Sequence, residues 1–379
     1  MLLQILWIVF SMFWEVLWPL ILGFALSGIV QAVVSHKTLA KTLGGDSPRN
    51  LTLATLFGIA SSSCSYAAVA LARSLFQKGA SFTSAMVFEL ASTNLVIEIG
   101  IILAILMGWQ FMAAEFIGGI IMVVLIALLF RLTLTPKLIA LAREQAAQGL
   151  QGKMEGHAAM DMSVTNQGTF IQRLVSKKGF TAVSQYFVMD LASVWIDITL
   201  GFFIAGAVSV LVPHAFWQTL FLMKDPHLAF IEGPLVGPLV ALISSVCSVG
   251  NVPLAAVLWQ GGISFGGVVS FIFADLIVLP ILNIYRKYYG WKMMCYIFII
   301  FYCIMAAAGY FVEFIFTLLH FIPANRNVII LTEGFTWNYT SWLNILFLLI
   351  AAILVYRFIK SGGLPMLQMM DKQEQPHHH

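Results

Sequence analysis

The sequence predicts an all-α, polytopic membrane protein: two inverted-topology repeats, each with a re-entrant or broken helical hairpin, plus a C-terminal helix. Three observations predict it. Hydrophobic residues make up 60% of the chain and charged residues 10%, far from the balance of a soluble domain. Residues 61–96 lie over 244–279 at a constant offset of 183 without a gap, with 14 identities in 36 positions. Lysine and arginine gather on one side of the membrane once both repeated segments are drawn as hairpins.

The first apolar run, 4–35, exceeds the ~20 residues needed to cross a bilayer. It has no basic stretch before it and carries Glu15, so it reads as a retained helix and not a signal peptide. Segment 51–76 is broken by Ser61–Ser65 around Cys64; its mate, 230–260, is broken by Ser244, Ser245, Cys247 and Ser248. The mate also carries Pro234, Pro238, Gly250, Asn251 and Pro253. A continuous helix there would lose backbone bonds at Pro253 and be weakened at Gly250. Runs 81–107 and 111–130 complete the first repeat; 186–212, 263–284 and 293–320 form ordinary spans of the second, and 341–359 a final one. Leu22-Gly23-Phe24, Gly28 and His36 recur at offset 178 as Leu200-Gly201-Phe202, Gly206 and His214. The chain therefore divides into a first membrane repeat (1–135), a cytoplasmic linker (136–185), a second repeat (186–320), an outer loop with the last helix (321–360), and a tail (361–379) whose final histidines read as a tag remnant.

Charge decides the topology. With two hairpins, 18 of the 20 lysines and arginines share one side, leaving only Lys224 and Arg326 opposite; with two full crossings the split is 10 against 10 and carries no orientation signal. The hairpins then make the first helix and its mate, 186–212, run in opposite directions. Inverted repeats place substrate near the bilayer midplane between discontinuous segments. The candidate substrate-binding residues are thus Ser62, Ser63, Cys64 and Ser65 on one tip, and Ser245, Cys247, Ser248 and Asn251 on the other. Helix N-termini at such tips favour an anion or an electron-rich ligand and stabilise a thiolate. Small residues there also let helices pack closely and cap helix ends.

Carboxylates inside a membrane are costly and point to function. Glu89 and Asp275 lie mid-span beside the two tips and are the candidate proton-coupling groups; Asp275 aligns with Ser92, one turn from Glu89. Glu98 has the i, i+4 spacing to pair with Asn94, and Glu15, Glu115, Asp190, Asp197 and Glu313 are nearer helix ends or without a clear place in a span. Trp109, Trp217, Trp259, Trp337 and Trp342 read as an interfacial belt, with His36 and His214 as interfacial anchors.

Several classes are excluded. Four cysteines without CxxC spacing argue against a disulfide framework and a zinc site. No Walker sequence occurs, so the chain has no ATP site of its own, and no base stands where Cys64 would need one, which argues against an enzyme. The expected partners are a small-molecule substrate and the lipid bilayer, with no nucleic acid and no cofactor; the oligomeric state stays open, a homodimer included. A secondary transporter is the leading reading, and an ion or small-solute channel with paired half-helices is the alternative.

The run Ser61-Ser62-Ser63-Cys64-Ser65-Tyr66-Ala67-Ala68, followed by Gly79-Ala80-Ser81-Phe82 and Ala91-Ser92-Thr93-Asn94, resembles the predicted permease family that includes the organoarsenical efflux permeases. So does Cys247-Ser248-Val249-Gly250-Asn251-Val252-Pro253-Leu254. The resemblance covers most of 15–290 and implies a multi-pass permease of the bacterial plasma membrane that exports soft or thiol-reactive species such as trivalent organoarsenicals. Many members carry Cys-Ser-Cys at the tip, whereas here Tyr66 follows Ser65. One tip therefore cannot supply two thiolates; Cys64 and Cys247 would have to supply one each.

Overall fold

A computed structural model describes residues 2–33, 42–61, 65–147, 164, 170–211, 226–244, 248–326, 337 and 339–365. In chain order its helices are α1 (Leu2–Val33), α2 (Pro48–Ser61), α3 (Ser65–Gln77), α4 (Phe82–Asn94), α5 (Ile97–Leu106), α6 (Trp109–Thr133) and α7 (Pro136–Ala147). There follow α8 (Phe170–Val175), α9 (Lys177–Leu211), α10 (Pro226–Ser244), α11 (Ser248–Gly261), α12 (Phe265–Phe273) continued by a 3-10 turn (Ala274–Leu276), α13 (Leu279–Tyr289), α14 (Trp291–Leu318) and α15 (Tyr339–Lys360). No strand occurs among the described residues.

Five stretches are long and apolar enough to cross a membrane: Leu2–Ala32, Phe82–Leu106, Trp109–Thr133, Trp291–Leu318 and Tyr339–Lys360. Five of the seven expected spans are thereby met. The expected span 263–284 is instead a pair, Phe265–Leu276 and Leu279–Tyr289, bent by 41°. Residues 186–211 of the expected span 186–212 lie in the 35-residue α9, whose stretch Ile198–Val208 is a short apolar helix, and residue 212 lies outside the described residues. Phe82–Leu106 is also interrupted: α4 stops at Asn94 and α5 starts at Ile97, with Val96 extended between them. Both repeats thus break the helix that follows the return arm, at corresponding positions. Part of the expected linker is helical, as α7 and α8.

The repeat extends to backbone detail. The turn after α3 has Gly79 at φ +113°, and the turn after α11 has Gly262 at φ +108°, a region glycine reaches without steric cost. Gly79 and Gly262 donate to Phe76 and Trp259, and the next residues, Ala80 and Ile263, donate to Leu75 and Leu258, a Schellman-like closure of each helix. Ser81 then caps α4 through the Ser84 N–H, and Ser264 caps α12 through the Gly267 N–H, at 3.0 and 3.1 Å. Arg143 stacks 4.3 Å over the Phe76 ring and donates to the carbonyls of Phe76 and Ala80. Arg326 stacks 4.3 Å over the Trp259 ring and donates to the carbonyls of Trp259 and Ile263. Every member of one set lies 183 positions before its counterpart in the other.

Two contacts give the helix directions. A side chain on Gly28 of α1 would strike α9 at Val183 and Phe187, while one on Gly206 of α9 would strike α1 at Ile5 and Val9. Rising numbers in α1 meet falling numbers in α9, so these mates pack antiparallel. The Ser81 N–H donates to Leu43 at 2.9 Å and the Ser84 hydroxyl to Gly45 at 2.8 Å. The chain leading into α2 therefore lies beside the chain leaving α3. Gly58, later in α2, abuts Phe88 to Ser92, later in α4, so α2 runs parallel to α4 and antiparallel to α3. Gly233 against Ser264 and Gly237 against Ser270 give α10 the same relation to α12.

Outside the repeat, α15 braces α1. Pro19 interrupts the α1 ladder, and immediately before it the buried Asn344 side chain accepts from the Trp18 N–H at 2.9 Å and donates to the Trp14 carbonyl at 2.6 Å. An inserted amide satisfies backbone groups that a bilayer cannot.

Candidate functional site

The return arms α3 and α11 begin with Ser65 and Ser248, and these two serines, mates at offset 183, meet at 2.8 Å between hydroxyl oxygens. Both are buried, at 0% and 4% exposure. Asp275, in the 3-10 turn at the break of the second repeat, accepts from the Ser65 hydroxyl at 2.6 Å through Oδ2 and from the Asn94 amide at 3.4 Å through Oδ1. The Leu276 N–H also bonds to it, and because the single hydroxyl hydrogen of Ser65 goes to Asp275, Ser248 donates to Ser65. Asn94 is the last residue of α4, so the breaks of the two repeats are joined directly. Burying a charged carboxylate at mid-membrane costs about 2.5–3.5 kcal/mol on insertion scales, while a hydrogen bond to a charged group returns roughly 1.5–3 kcal/mol. Three donors, Ser65, Asn94 and the Leu276 N–H, therefore hold Asp275 in place.

Glu89, fully buried on α4, accepts from the Tyr285 hydroxyl of α13 and is within electrostatic reach of Asp275. Glu115 on α6 is also within reach of Asp275, and neither of its carboxyl oxygens has a hydrogen-bond partner among the described residues. The same holds for both amide atoms of Asn251, buried at 0% one turn beyond Ser248 on α11. Buried polar groups normally meet protein, water, ions or ligand. No group of three His, Cys, Asp or Glu residues with metal-holding geometry occurs among the described residues.

Of the sequence-derived site residues, Ser65, Ser248, Asn251, Glu89 and Asp275 converge here; Ser62, Ser63, Cys64, Ser245 and Cys247 lie outside the described residues, as do His36, His214 and Trp217. Cys64 and Cys247 are bonded in sequence to the two serines that touch. Asn94 turns to Asp275 and Thr93, not to Glu98 one turn on, because the carboxylate across the repeat lies within reach of its amide. Trp259 is not interfacial: Arg326 covers it, and it is 2% exposed against Phe111 and Phe265. Trp109, Trp337 and Trp342 are more than half exposed. Sequence reasoning missed Asn94, Tyr285 and Glu115 as members of the cluster. A carboxylate in an apolar run beside Gly118 and Gly119 was the available signal at Glu115, since Gly119 lets α6 approach the Asn94 carbonyl.

The sequence profile of a family described as predicted permease matches residues 1–314. The chain belongs to that predicted permease family. A Mycobacterium tuberculosis protein named "Putative permease Rv2963" is 59% identical over 348 residues, covering 92% of this chain and 86% of the relative. The Escherichia coli protein "UPF0718 protein YraQ" is 28% identical over 109 residues, 29% of this chain and 32% of the relative. No solved structure matches the chain. As a member of the permease family with several apolar spans, the chain is a multi-pass membrane transporter.

Proposed function

We propose that this permease is a secondary-active, proton-coupled exporter of the bacterial plasma membrane, moving a small, soft, thiol-reactive solute held between two hairpin tips at the midplane. One observation carries the reading: Ser65 and Ser248, the same residue of each repeat, touch at 2.8 Å, and Ser65 donates to the buried Asp275. The antiparallel packing of α1 on α9 supports inverted repeats, and the adjacency of the chain before α2 to the chain after α3 supports re-entrant hairpins. The tip contact favours a carrier over an open pore. Asp275 already faces the N-termini of α3 and α11, where an anionic substrate would sit, so of the two classes the tips admit, an uncharged soft species fits better than an anion.

The coupling follows from donor counts. As a carboxylate, Asp275 accepts from Ser65, which in turn accepts from Ser248; once protonated, Asp275 has a hydrogen to give to Ser65, whose own hydrogen then turns to Ser248. Loading a proton therefore rewires the contact that joins the repeats, and that rewiring is what gives a proton differential affinity for two conformations. Glu89 and Glu115 stand within reach as further carriers.

Two experiments test this. Single cysteines replacing Lys41, Lys78, Met160 and Lys287 in a cysteine-free background are expected to be labelled from the cytoplasm only, and one at Ala324 from outside only; outside labelling of position 78 would falsify the hairpins. In a Cys295→Ser, Cys303→Ser background, a methylarsonous acid should bond to both remaining thiols, forming two As–S bonds and releasing two waters. Cys64 and Cys247 are then protected from alkylation together, and Cys64→Ser removes the protection of Cys247. Independent alkylation of the two in the presence of the arsenical would discard the two-thiolate site.

A further inference from the structure

A cleft of about 760 Å³ opens between α2 and α6, floored by Thr83 of α4 and closed at one end by Leu134 and Ile139. Its walls are apolar, and Leu56, Ile120, Val124 and Leu128 are exposed along it. Its rim carries Asp46 and Arg131, both exposed, with Arg131 in the last turn of α6.

In the second repeat the corresponding helices, α10 and α14, are fastened together, and the residues that fasten them are identifiable. Gly108-Trp109 and Gly290-Trp291 open α6 and α14 alike, each with the glycine at positive φ, which sets an offset of 182 for these helices. Tyr302 of α14 donates to the Leu235 carbonyl at 2.9 Å, and Tyr310 donates to that of Ile231, fastening α14 onto α10. Their counterparts are Ile120 and Leu128, and the counterparts of Leu235 and Ile231, at offset 183, are Thr52 and Pro48. All four line the cleft. Where the second repeat has phenol groups reaching across to backbone, the first has shorter aliphatic side chains that do not span the gap.

An apolar cleft in the wall of a membrane protein stays dry, so the bilayer supplies its contents. We propose that the α2–α6 cleft is a binding site for one zwitterionic aminophospholipid, an acyl chain lying along Leu56, Ile120, Val124 and Leu128, with its phosphate at Arg131 and its ammonium at Asp46. The paired opposite charges at the rim match that headgroup better than an anionic one, which Asp46 would repel. The volume lies within the range of small-molecule sites, roughly 300–1,000 Å³.

Native mass spectrometry of the full chain in mild detergent, offered equimolar phosphatidylethanolamine and phosphatidylglycerol, tests the site. Wild type is expected to retain one phosphatidylethanolamine with about a fivefold preference, the worth of one charge contact near a membrane surface. Ile120→Tyr with Leu128→Tyr, which imports the fastening residues of the second repeat, should remove the retained lipid. Asp46→Asn, at an exposed position that leaves folding untouched, should keep a lipid but lose the preference. Retention of equal amounts of both lipids by wild type would overturn the proposal, as would unchanged lipid in the double tyrosine variant or unchanged preference in Asp46→Asn.

Discussion

Asp275→Asn is expected to lower export driven by a pH gradient roughly 10- to 100-fold in proteoliposomes, the range of a typical coupling free energy, while solute exchange without a gradient persists. The amide has nearly the shape of the carboxyl and keeps one acceptor oxygen for Ser65, which now lies 2.6 Å from Oδ2. What it loses is the proton-binding step, so the contact between Ser65 and Ser248 can no longer be rewired by pH. Wild-type export should saturate with solute and follow the imposed gradient. Glu89→Gln, whose partner is Tyr285, should lower gradient-driven flux less, because it does not touch the tip contact. Gradient-driven flux at the wild-type rate in Asp275→Asn would remove Asp275 from the coupling path. Loss of exchange as well, in a protein that stays folded, would make it a binding residue.

The second large effect is on stability. Arg326→Ala should strip two hydrogen bonds and a ring contact from the end of α11. Bonds from a charged donor contribute roughly 1.5–3 kcal/mol each where buried, and a guanidinium over an aromatic face about 0.5–2. With partial solvent screening, a loss of about 3 kcal/mol is expected. Arg143→Ala removes the equivalent set from α3, but Arg143 is exposed where Arg326 is half-buried, so its cost should be smaller. Thermal unfolding in detergent would rank them. Arg326→Lys should recover only part of the loss, since an ammonium can donate to the two carbonyls but lacks the planar guanidinium face that stacks on the Trp259 ring. A full recovery by lysine, or a melting point unchanged in Arg326→Ala, would assign the clasp no structural weight.

How much was legible in the sequence follows from range. The duplication stood out because Ser61 to Ala91 and their mates keep side chains whose roles are local: caps such as Ser81 and Ser264, and a glycine that must take positive φ. The cluster's core could be named because serines and a carboxylate in apolar runs are conspicuous. The Arg143 and Arg326 pair was invisible, as each lies outside the block of identities and a lone arginine has no pattern of its own. Arg326 had counted as one of two basic residues on the wrong side of an 18 to 2 division. The proposed inversion accounts for the exception: as the mate of Arg143 in a half inserted the other way, it would belong on the opposite face. Trp259 misled for the same reason, since a tryptophan near the end of a span looks interfacial until its cover is known. Asn94 pairs across 181 residues rather than across one helical turn, and only the packing of the two breaks brings its partner within reach.

The contact between Ser65 and Ser248 has a consequence for ancestry. A residue that touches its own counterpart sits on the axis relating the two halves. Had the halves been separate, identical subunits, every axial side chain would have met a copy of itself. A serine tolerates that meeting, because a hydroxyl both donates and accepts. A carboxylate meeting its copy has to share one proton with it, as two like charges a few ångströms apart cannot both ionise. Fusion into one chain lifts the restriction: Asp275 stands opposite the ordinary Ser92 of its sister half, and Asn251 opposite Ala68. A lone aspartate at the tip contact, loading and releasing a proton of its own, is thus open to a chain with two unlike halves, whereas a homodimer of identical halves would bring two aspartates there together.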